Sequence, residues 1–281
     1  MHIDHPAMAS GRVAVITGGA RGIGLAAAVR LARAGMHIVL ADVDGLDEAA
    51  AEVRAAGAVK VLTRQVDVSD RQSLLDLRDF VFDRLGDVGL LMNNAAVGGG
   101  GNAFSNPDGW ARVIGVNLMG VVHGSQAFTQ AMLEQGRAAV IVNTGSKQGI
   151  TSPPGDTAYN VSKAAIKVLT EGLAHSLREA GDGQVSAHLL IPGFTYTNMI
   201  QRHLPERPSA AWSPEQVAQA MVKGVVKGDF YILCPDNETP RALDERRILW
   251  AAGDIVENRP ALSRWHPDYQ AAFAAFMEGA R

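Results

Sequence analysis

Near its start the chain reads Thr17-Gly18-Gly19-Ala20-Arg21-Gly22-Ile23-Gly24, a glycine-rich turn. The apolar run Arg12–Thr17 leads into this turn and is typical of a buried strand, and Ile23–Ala34 follows it with the apolar spacing of a helix. Glycine allows a sharp turn and a close approach of another molecule to the backbone, and the first amides of a helix attract anions. A strand, this turn and a helix in that order predict a site for the pyrophosphate of a dinucleotide.

On either side of the turn, short apolar runs rich in β-branched residues alternate with segments of helical spacing. Such alternation predicts βαβ units and a parallel sheet with right-handed crossovers. We therefore expect an α/β fold, a Rossmann-type, doubly wound, mostly parallel sheet of seven strands flanked by helices. The expected strands are Arg12–Thr17, His37–Asp42, Val59–Gln65, Val88–Asn93, Ala138–Asn143, Val185–Ile191 and Phe230–Cys234. The expected helices are Ile23–Ala34, Leu46–Ala56, Arg71–Leu85, Trp110–Glu134 and Tyr159–Ala180, with a capped helix start at Ser213-Pro214-Glu215-Gln216.

Composition limits the class of protein. A chain of 281 residues with 47% apolar and 20% charged residues suits one soluble domain. The net charge of −3 gives no basic excess, so we expect no nucleic-acid partner. No apolar run reaches the length of about 18 residues that a membrane span needs, so we expect no membrane partner. The single cysteine, Cys234, excludes an intrachain disulfide and favours a cytoplasmic location, and no cluster has zinc spacing, so no metal is expected.

The two ends of the chain differ from its middle. Residues 1–10 lack the pattern of a secretory signal and are expected to form a flexible leader, and residues 11–235 are expected to form the sheet domain with its substrate pocket. Residues 236–281 are rich in Arg, Asp, Trp and Pro, and we expect helices at Pro240–Ala252 and Pro267–Met277. The amphipathic pattern of Asp244–Trp250 favours a helical extension packed on the domain. A lid over the site or a contact between subunits is the alternative.

An acidic residue ends the second expected strand. Asp42 lies 18 residues after Gly24, where a carboxylate accepts hydrogen bonds from the adenosine ribose hydroxyls. A 2′-phosphate there would meet a like charge, at a cost of about 4 kcal/mol for unit charges ~4 Å apart. Arg21 favours NADP instead, because its guanidinium can pair with that phosphate. Since the carboxylate must be displaced before a phosphate can enter, we expect NAD as the cofactor, with NADP as the alternative.

Four polar residues further along the chain predict proton-transfer chemistry. Tyr159 and Lys163 stand four positions apart at the start of an expected helix and therefore share a face. A nearby ammonium favours the phenolate, so we expect Lys163 to lower the pKa of Tyr159 from its usual value of about 10. Ser146 follows an expected strand at the carboxyl edge of the sheet, where ligands bind. Asn117 stands inside an expected helix, where asparagine is unfavourable unless its side chain has a specific role.

These motifs together resemble the short-chain dehydrogenase/reductase family. The resemblance spans Gly11 to Thr197 and is carried by the Thr17–Gly24 turn, Asp67-Val68, Asn93-Asn94-Ala95-Ala96, Asn117, Ser146, Tyr159 with Lys163, and Pro192-Gly193 with Thr197. Two positions depart from the family pattern. Ala96 replaces the usual last glycine of Asn-Asn-Ala-Gly, and Gly145 replaces the usual serine before the catalytic serine. Both replacements are small, so we expect the chemistry to be retained.

The resemblance implies a role for each matching residue. Tyr159 would be the general acid/base at the substrate oxygen, Lys163 would assist it and bind the nicotinamide ribose, and Ser146 would hold the substrate oxygen. Asn117 would bind a water that relays protons to Lys163. These four residues form the expected catalytic set. The expected cofactor contacts are Gly18, Arg21, Gly22, Ile23, Gly24, Asp42, Asp67, Val68, Asn94, Ala95, Tyr159, Lys163, Pro192, Gly193, Thr195 and Thr197.

The expected pocket walls indicate the substrate class. They lie at residues 95–104, 147–154 and 193–204, and the run Gly98–Gly101 is expected to be flexible. The apolar wall residues favour a hydrophobic or aromatic secondary alcohol, or its ketone; they are Phe104, Phe194, Met199, Ile200 and Leu204.

The sequence therefore predicts an oxidoreductase that transfers a hydride between NAD(H) and such an alcohol or carbonyl compound. The alternatives are an NADPH-dependent carbonyl reductase and a non-catalytic dinucleotide sensor. The resemblance also implies a homo-oligomer, a tetramer or dimer, formed through the segments Trp110–Glu134 and Tyr159–Ala180.

Overall fold

The fold is a doubly wound α/β sheet, seen in a computed structural model that describes residues 2–180, 183–201 and 204–278. Within these residues, seven strands form one parallel sheet in the order β3-β2-β1-β4-β5-β6-β7. The strands are β1 Val13–Thr17, β2 His37–Asp42, β3 Val61–Gln65, β4 Leu90–Asn93, β5 Ala139–Thr144, β6 Val185–Ile191 and β7 Tyr231–Leu233. The predicted fold class is confirmed.

The helices cover both faces of the sheet. They are α1 Gly22–Ala32, α2 Leu46–Ala55, α3 Arg71–Leu85, α4 Pro107–Val113, α5 Gly120–Glu134, α6 Gln148–Thr151, α7 Thr157–Ala180, α8 Asn198–Gln201, α9 Pro214–Lys227, α10 Arg241–Val256 and α11 Gln270–Glu278. Ser213 and Gln216 form the predicted capping box at the start of α9. No helix in the described part of the chain is both long and apolar enough to cross a membrane.

The strand order reverses between β1 and β4. The chain runs outward from β1 to β3 and then returns to the other side of β1, so the loops after β1 and β4 leave the sheet in opposite directions. A crevice forms at the carboxyl ends of the strands at such a reversal, and ligands of open α/β sheets bind there. The sheet register places Thr17 opposite Ala41, and Asn93 opposite Asn143, at this edge.

Alternate residues of the strands pack against opposite helix layers. Ala14 and Ile16 face the layer of α1, α2 and α9, and Val13 and Val15 face the layer of α3, α5 and α7. Small residues let α1 approach the sheet closely, since Ala27 and Ala28 are fully buried. The sheet is therefore covered on both sides, as the continuous apolar strands predict.

The predicted flexible leader is corrected by the structure. Ile3, Ala7 and Met8 are buried, and Pro6–Met8 forms a short 3-10 turn. The guanidinium of Arg12 donates a hydrogen bond to the carbonyl oxygen of Pro6 at 3.1 Å. The apolar side chains of this segment belong to the same core cluster as Ala14 and Ile16 of β1. The sequence pattern did not reveal this packing because the segment is short. Met1 lies outside the described residues, as do Arg202 and His203 of the predicted pocket wall and residues 279–281 of the extension.

The predicted single helix Trp110–Glu134 contains an irregular turn. A π-helical turn at Ile114–Met119 separates α4 from α5, and it carries the fully buried Asn117. Such turns rotate a side chain out of its ordinary α-helical direction and are frequent at functional sites. The turn therefore directs the Asn117 side chain toward Val97 and Ser162 of neighbouring segments, not along the helix.

The helices of the C-terminal extension pack against each other, and α10 also contacts the loop after β5. Trp250 of α10 is 6% exposed and packs against Phe273 and Phe276 of α11. Its indole N–H donates to Ser263 Oγ at 2.8 Å. Lys147, which follows Ser146, pairs with Asp244 of α10. The extension is thus joined directly to the loop that carries Ser146.

Candidate active site

The glycine-rich turn leaves no room for side chains at two positions. A Cβ atom on Gly24 would lie 2.2 Å from the carbonyl oxygen of Gly18. A Cβ atom on Gly18, where φ is +63°, would lie 2.7 Å from Cα of Ala95. These contacts bring the loops after β1 and β4 together, which explains why both positions are glycine.

Asn94 holds this turn in place from the neighbouring strand. Its Nδ2 donates to the carbonyl oxygens of Thr17 at 3.2 Å and of Gly18 at 3.3 Å. Its Oδ1 accepts a hydrogen bond from Thr144 Oγ1 at 3.3 Å. Asn94 therefore connects the ends of β1, β4 and β5.

The carboxylate of Asp42 lies against the turn. Its Oδ2 accepts from the backbone N–H of Ala20 at 3.0 Å, and its Oδ1 accepts from Val43 N–H at 2.8 Å. Arg21 makes an ion pair with Asp44 and also donates to the Asp44 carbonyl oxygen at 3.3 Å. Two carboxylates thus stand at this corner, and the one cation that the sequence offered for a 2′-phosphate is already paired.

The next two expected cofactor contacts follow β3. Val68 is buried against Gly120, where an added Cβ would lie 2.6 Å from Val68 Cγ2. Asp67 is exposed, and its Oδ1 accepts hydrogen bonds from the backbone N–H and the hydroxyl of Ser69, at 2.9 and 2.7 Å. Both residues lie at the carboxyl end of the sheet.

Three residues of the expected catalytic set meet at the carboxyl end of β5. Tyr159 and Lys163 lie in the first turns of α7, and the Nζ of Lys163 lies 5.6 Å from the centre of the Tyr159 ring. Lys163 donates to the carbonyl oxygen of Thr144 at 2.8 Å, which fixes its side chain beside the strand end. Ser146 is half-buried, and its hydroxyl lies near enough to the phenol of Tyr159 to lower the pKa of that phenol.

Burial is the main influence on the pKa values of Tyr159 and Lys163. It raises the pKa of Tyr159 to about 12, an effect that the Ser146 hydrogen bond opposes and the charge of Asp156 reinforces. It also lowers the pKa of Lys163 to about 7. The prediction that Lys163 lowers the pKa of Tyr159 is therefore wrong for this structure. Removing both groups from water favours their neutral forms, so the phenol is a proton donor near neutral pH.

Asn117 hydrogen-bonds two segments that flank the site, the loop after β4 and helix α7. Its Oδ1 accepts from Val97 N–H at 2.8 Å, and its Nδ2 donates to the Val97 carbonyl oxygen at 2.9 Å and to Ser162 Oγ at 3.1 Å. Both hydrogens of the amide nitrogen are thus used within the protein. Asn117 connects the loop after β4 to the helix of Tyr159.

The loop after β6 closes the other side of the crevice. Thr197 approaches the glycine turn, since a Cβ atom on Gly22 would lie 3.5 Å from its side chain. Thr195 Oγ1 donates to the Gly193 carbonyl oxygen at 3.2 Å. Gly193 follows Pro192, and an added Cβ there would lie 2.8 Å from both Lys147 Nζ and Asp236 Oδ2. Gly193 therefore lies directly against the ion pair of Lys147 and Asp236.

Two residues of the site were missed by the sequence analysis. The ion pairs of Lys147 were not predicted: its side chain lies half-buried between Asp236 and Asp244. Asp156 accepts hydrogen bonds from the glycine run that was expected to be flexible. Both contacts join residues far apart in the chain, so no local pattern signalled them.

Comparison with known proteins gives a consistent assignment. The family model for short chain dehydrogenases matches residues 12–208. A 1-deoxy-11-beta-hydroxypentalenate dehydrogenase from Streptomyces exfoliatus is 34% identical over 262 residues, which cover 90% of this chain and 94% of that protein. A 3beta-hydroxysteroid dehydrogenase 2 from Eggerthella lenta is 32% identical over 200 residues, which cover 69% of this chain and 75% of that protein.

A solved structure supports the same assignment. The short chain dehydrogenase/reductase from Burkholderia phymatum in complex with NAD superposes with a TM-score of 0.80 at 38% identity, covering 89% of this chain and 96% of that one. The family model, the relatives and the parallel seven-stranded sheet agree with one another. The chain therefore belongs to the short-chain dehydrogenase family of oxidoreductases.

Proposed function

We propose that this enzyme interconverts a hydrophobic secondary alcohol and its ketone with NAD(H), and that Tyr159 is its acid/base. The observation that carries the proposal is the meeting of Tyr159, Ser146 and Lys163 at the crevice where the sheet order reverses. Proton-transfer groups at this edge of the sheet lie where a dinucleotide and its reaction partner can meet.

The glycine-rich turn fits a dinucleotide. Gly22 has a φ of +55°, and it carries no side chain between the turn and Thr197. The backbone can therefore approach a pyrophosphate at the start of α1. Gly18, Gly22, Ile23 and Gly24 would hold the pyrophosphate, Asp42 the adenosine ribose, and Lys163 the nicotinamide ribose. When bound, the nicotinamide supplies or accepts the hydride.

Two observations favour NAD over NADP. The carboxylates of Asp42 and Asp44 both stand at the ribose corner, and Arg21 is paired with Asp44. A 2′-phosphate would meet negative charge there and would have to break the Arg21 pair. The Burkholderia phymatum relative was solved with NAD, which agrees with this preference.

In the proposed mechanism the protein moves one proton at the substrate oxygen. Tyr159, whose pKa is raised to about 12, gives its phenolic proton to that oxygen when a ketone is reduced. In the reverse reaction, the phenolate that this transfer leaves on Tyr159 takes back the hydroxyl proton of the alcohol as the hydride leaves. Ser146, already within hydrogen-bonding reach of the phenol, holds the same oxygen, so the proton has a short and oriented path.

Apolar side chains at the mouth of the crevice support a hydrophobic substrate. Phe104 is 91% exposed and Leu204 is 42% exposed, on the two loops that flank the entrance. These loops approach each other, since a Cβ atom on Gly98 would lie 3.4 Å from Met199 Sδ. Exposed apolar residues beside a crevice mark a binding surface. The names of two relatives, a hydroxypentalenate and a hydroxysteroid dehydrogenase, agree with a hydroxylated hydrophobic compound.

The test is formation of NADH from NAD⁺ over a panel of alicyclic, steroidal and aryl secondary alcohols. The Tyr159→Phe variant is measured beside the wild type, because it removes only the proton-carrying oxygen. We expect turnover with at least one hydrophobic alcohol and a fall in kcat of about 10²–10⁴-fold in the variant, with NADH binding retained. Wild-type kcat in Tyr159→Phe would contradict the proposal, and turnover with NADP⁺ alone would contradict the cofactor preference. NADH binding without turnover of any alcohol or ketone would favour a dinucleotide sensor.

We also propose that the enzyme is a homo-oligomer that uses the outer faces of α5 and α7. Val161 and Val168 are 43% and 66% exposed, on the face of α7 that points away from the sheet. Covering them would remove apolar surface from water. Light scattering tests this directly, and a monomer at micromolar concentration would refute it. Cytoplasmic location stays a prediction.

A further inference from the structure

Asp156 stands just before the helix of Tyr159 and is not used in the proposed mechanism. Its Oδ1 accepts from the backbone N–H of Tyr159 at 3.1 Å, and its carbonyl oxygen accepts from Asn160 N–H at 3.1 Å. A side-chain oxygen that bonds a free amide of the first turn is the arrangement of an N-cap. Asp156 thus fixes the first turn of α7, which carries the phenol.

The second carboxylate oxygen of Asp156 reaches across the crevice mouth. Its Oδ2 accepts from Gly99 N–H at 2.8 Å and from Gly100 N–H at 3.1 Å. One carboxylate therefore binds three backbone amides, two on the glycine run and one on the catalytic helix. Hydrogen bonds to a charged acceptor are about twice as strong as neutral ones, so this group is well suited to hold a glycine-rich segment.

The glycine run fits the start of α7 closely. A Cβ atom on Gly100 would lie 2.4 Å from the Cβ of Ala158, and Ala158 N–H donates to the Gly101 carbonyl oxygen at 3.3 Å. On the other side of the run, Arg112 and Asn106 donate to the carbonyl oxygens of Gly98 and Gly99 at 3.0 and 3.1 Å. The run is thus held from both sides, although four consecutive glycines would otherwise be flexible.

We propose that Asp156 is a positioning residue that joins the glycine run Gly98–Gly101 to the catalytic helix and so sets the wall of the substrate pocket beside Tyr159. The proposal rests on the proposed function for its effect on substrate, but the contact itself does not. Because the run meets Met199 of the opposite loop at Gly98, its position fixes the width of the mouth. Substrate binding, rather than the proton transfer itself, depends on this contact.

The contact is tested by amide hydrogen exchange of the cofactor-free protein. Asp156→Ser keeps a hydroxyl that can cap Tyr159 N–H but is too short to reach the glycine run. Asp156→Asn keeps the shape but removes the charge and one acceptor oxygen, so its NH₂ group must face either the glycine amides or Tyr159 N–H. We expect exchange of peptides covering residues 98–104 to rise by roughly 10-fold or more in both variants, as follows from losing charged hydrogen bonds. Asp70→Asn is the matched control, since Asp70 caps α3 in the same way but lies outside the site. Unchanged exchange in Asp156→Ser would overturn the proposal.

The consequence for function is tested by steady-state kinetics with a substrate found in the alcohol panel. We expect the KM for the alcohol to rise about 10-fold or more in Asp156→Ser, a larger change than in kcat, with the Kd for NADH unchanged. Gly100→Ala displaces the run but keeps the carboxylate, although the new Cβ would lie 3.2 Å from Asp156 Oδ1. It should also raise the KM for the alcohol more than it changes kcat. If Asp156→Ser has the same KM as the wild type although the amides of residues 98–104 exchange faster, Asp156 has no role in substrate binding. If no alcohol is turned over by the wild type, the proposed function fails while the exchange result still decides the contact.

Discussion

The ammonium nitrogen of Lys147 lies 2.5 Å from a carboxylate oxygen of Asp244, and this pair joins the loop of Ser146 to the C-terminal extension. Asp236 Oδ2 lies 3.1 Å from the same nitrogen. Burial raises the pKa of Asp244, and the hydrogen bond and charge of Lys147 oppose that shift. The extension is therefore held by a buried charge cluster as well as by its apolar contacts.

Replacing Lys147 by methionine should destabilise the protein. The change leaves the buried carboxylate of Asp244 and the half-buried carboxylate of Asp236 without their ammonium. Removing one partner of a buried pair costs about 3–5 kcal/mol. Urea unfolding followed by tryptophan fluorescence measures this, because Trp250 lies in the extension. Lys223→Met, on the exposed surface of α9, should change the stability by less than about 0.5 kcal/mol. Equal stability of the two variants would show that the cluster does not hold the extension.

Replacing Gly24 by alanine should abolish dinucleotide binding. The new Cβ would lie 2.2 Å from the Gly18 carbonyl oxygen and 2.8 Å from Asn94 Nδ2, so the turn must move. NADH fluorescence titration should show at least a ~100-fold rise in Kd, since a displaced turn loses several pyrophosphate contacts of about 1 kcal/mol each. Gly172→Ala is the control, because Gly172 lies in α7 with no atom within 4 Å of the added carbon. That change should stabilise the protein by about 0.5–1 kcal/mol and leave the NADH affinity unaltered. Wild-type affinity in Gly24→Ala would contradict the close contact.

Local patterns predicted the sheet and the position of most site residues, but not the contacts between distant segments. Strands β2 and β6 begin and end where expected, because β-branched runs and turn residues mark them. The packed leader, the π-turn at Asn117 and the ion pairs of Lys147 depend on residues that meet only after folding. The pKa of Tyr159 was predicted in the wrong direction for the same reason. The sequence shows that Lys163 is near, but only the structure shows how strongly both groups are buried.

Replacing Asp42 by alanine should weaken the preference for NADH. We expect the Kd for NADH to rise about 10-fold, from the loss of hydrogen bonds to a charged acceptor worth about 1.5–3 kcal/mol, and the Kd for NADPH to stay level or fall. Asp44→Ala is the informative partner variant, because it releases Arg21 without touching the ribose carboxylate. It should leave NADH binding within about 2-fold of wild type, and the double variant should bind NADPH best. An unchanged ratio of the two affinities in Asp42→Ala would refute the assignment of cofactor preference.

The buried amine of Lys163 should make stability depend on pH. The folded protein holds this pKa at about 7, against an ordinary value of 10.5, so between these values the unfolded chain binds one more proton. The contribution of Lys163 to the free energy of unfolding is fully present above pH 10.5 and is lost as the pH falls toward 7. Its slope is at most about 1.4 kcal/mol per pH unit, and Tyr159 adds nothing below pH 10 because its pKa is raised.

Urea unfolding at pH 7 and pH 9 tests this linkage. Relative to Lys163→Met, the wild type should gain about 2 kcal/mol of stability over this interval, because methionine cannot release a proton. Lys223→Met should follow the wild type, since the amine of Lys223 is exposed. Parallel curves for the wild type and Lys163→Met would mean that Lys163 stays charged in the folded protein. In that case its ammonium is available to stabilise a phenolate at Tyr159, as the sequence alone suggested.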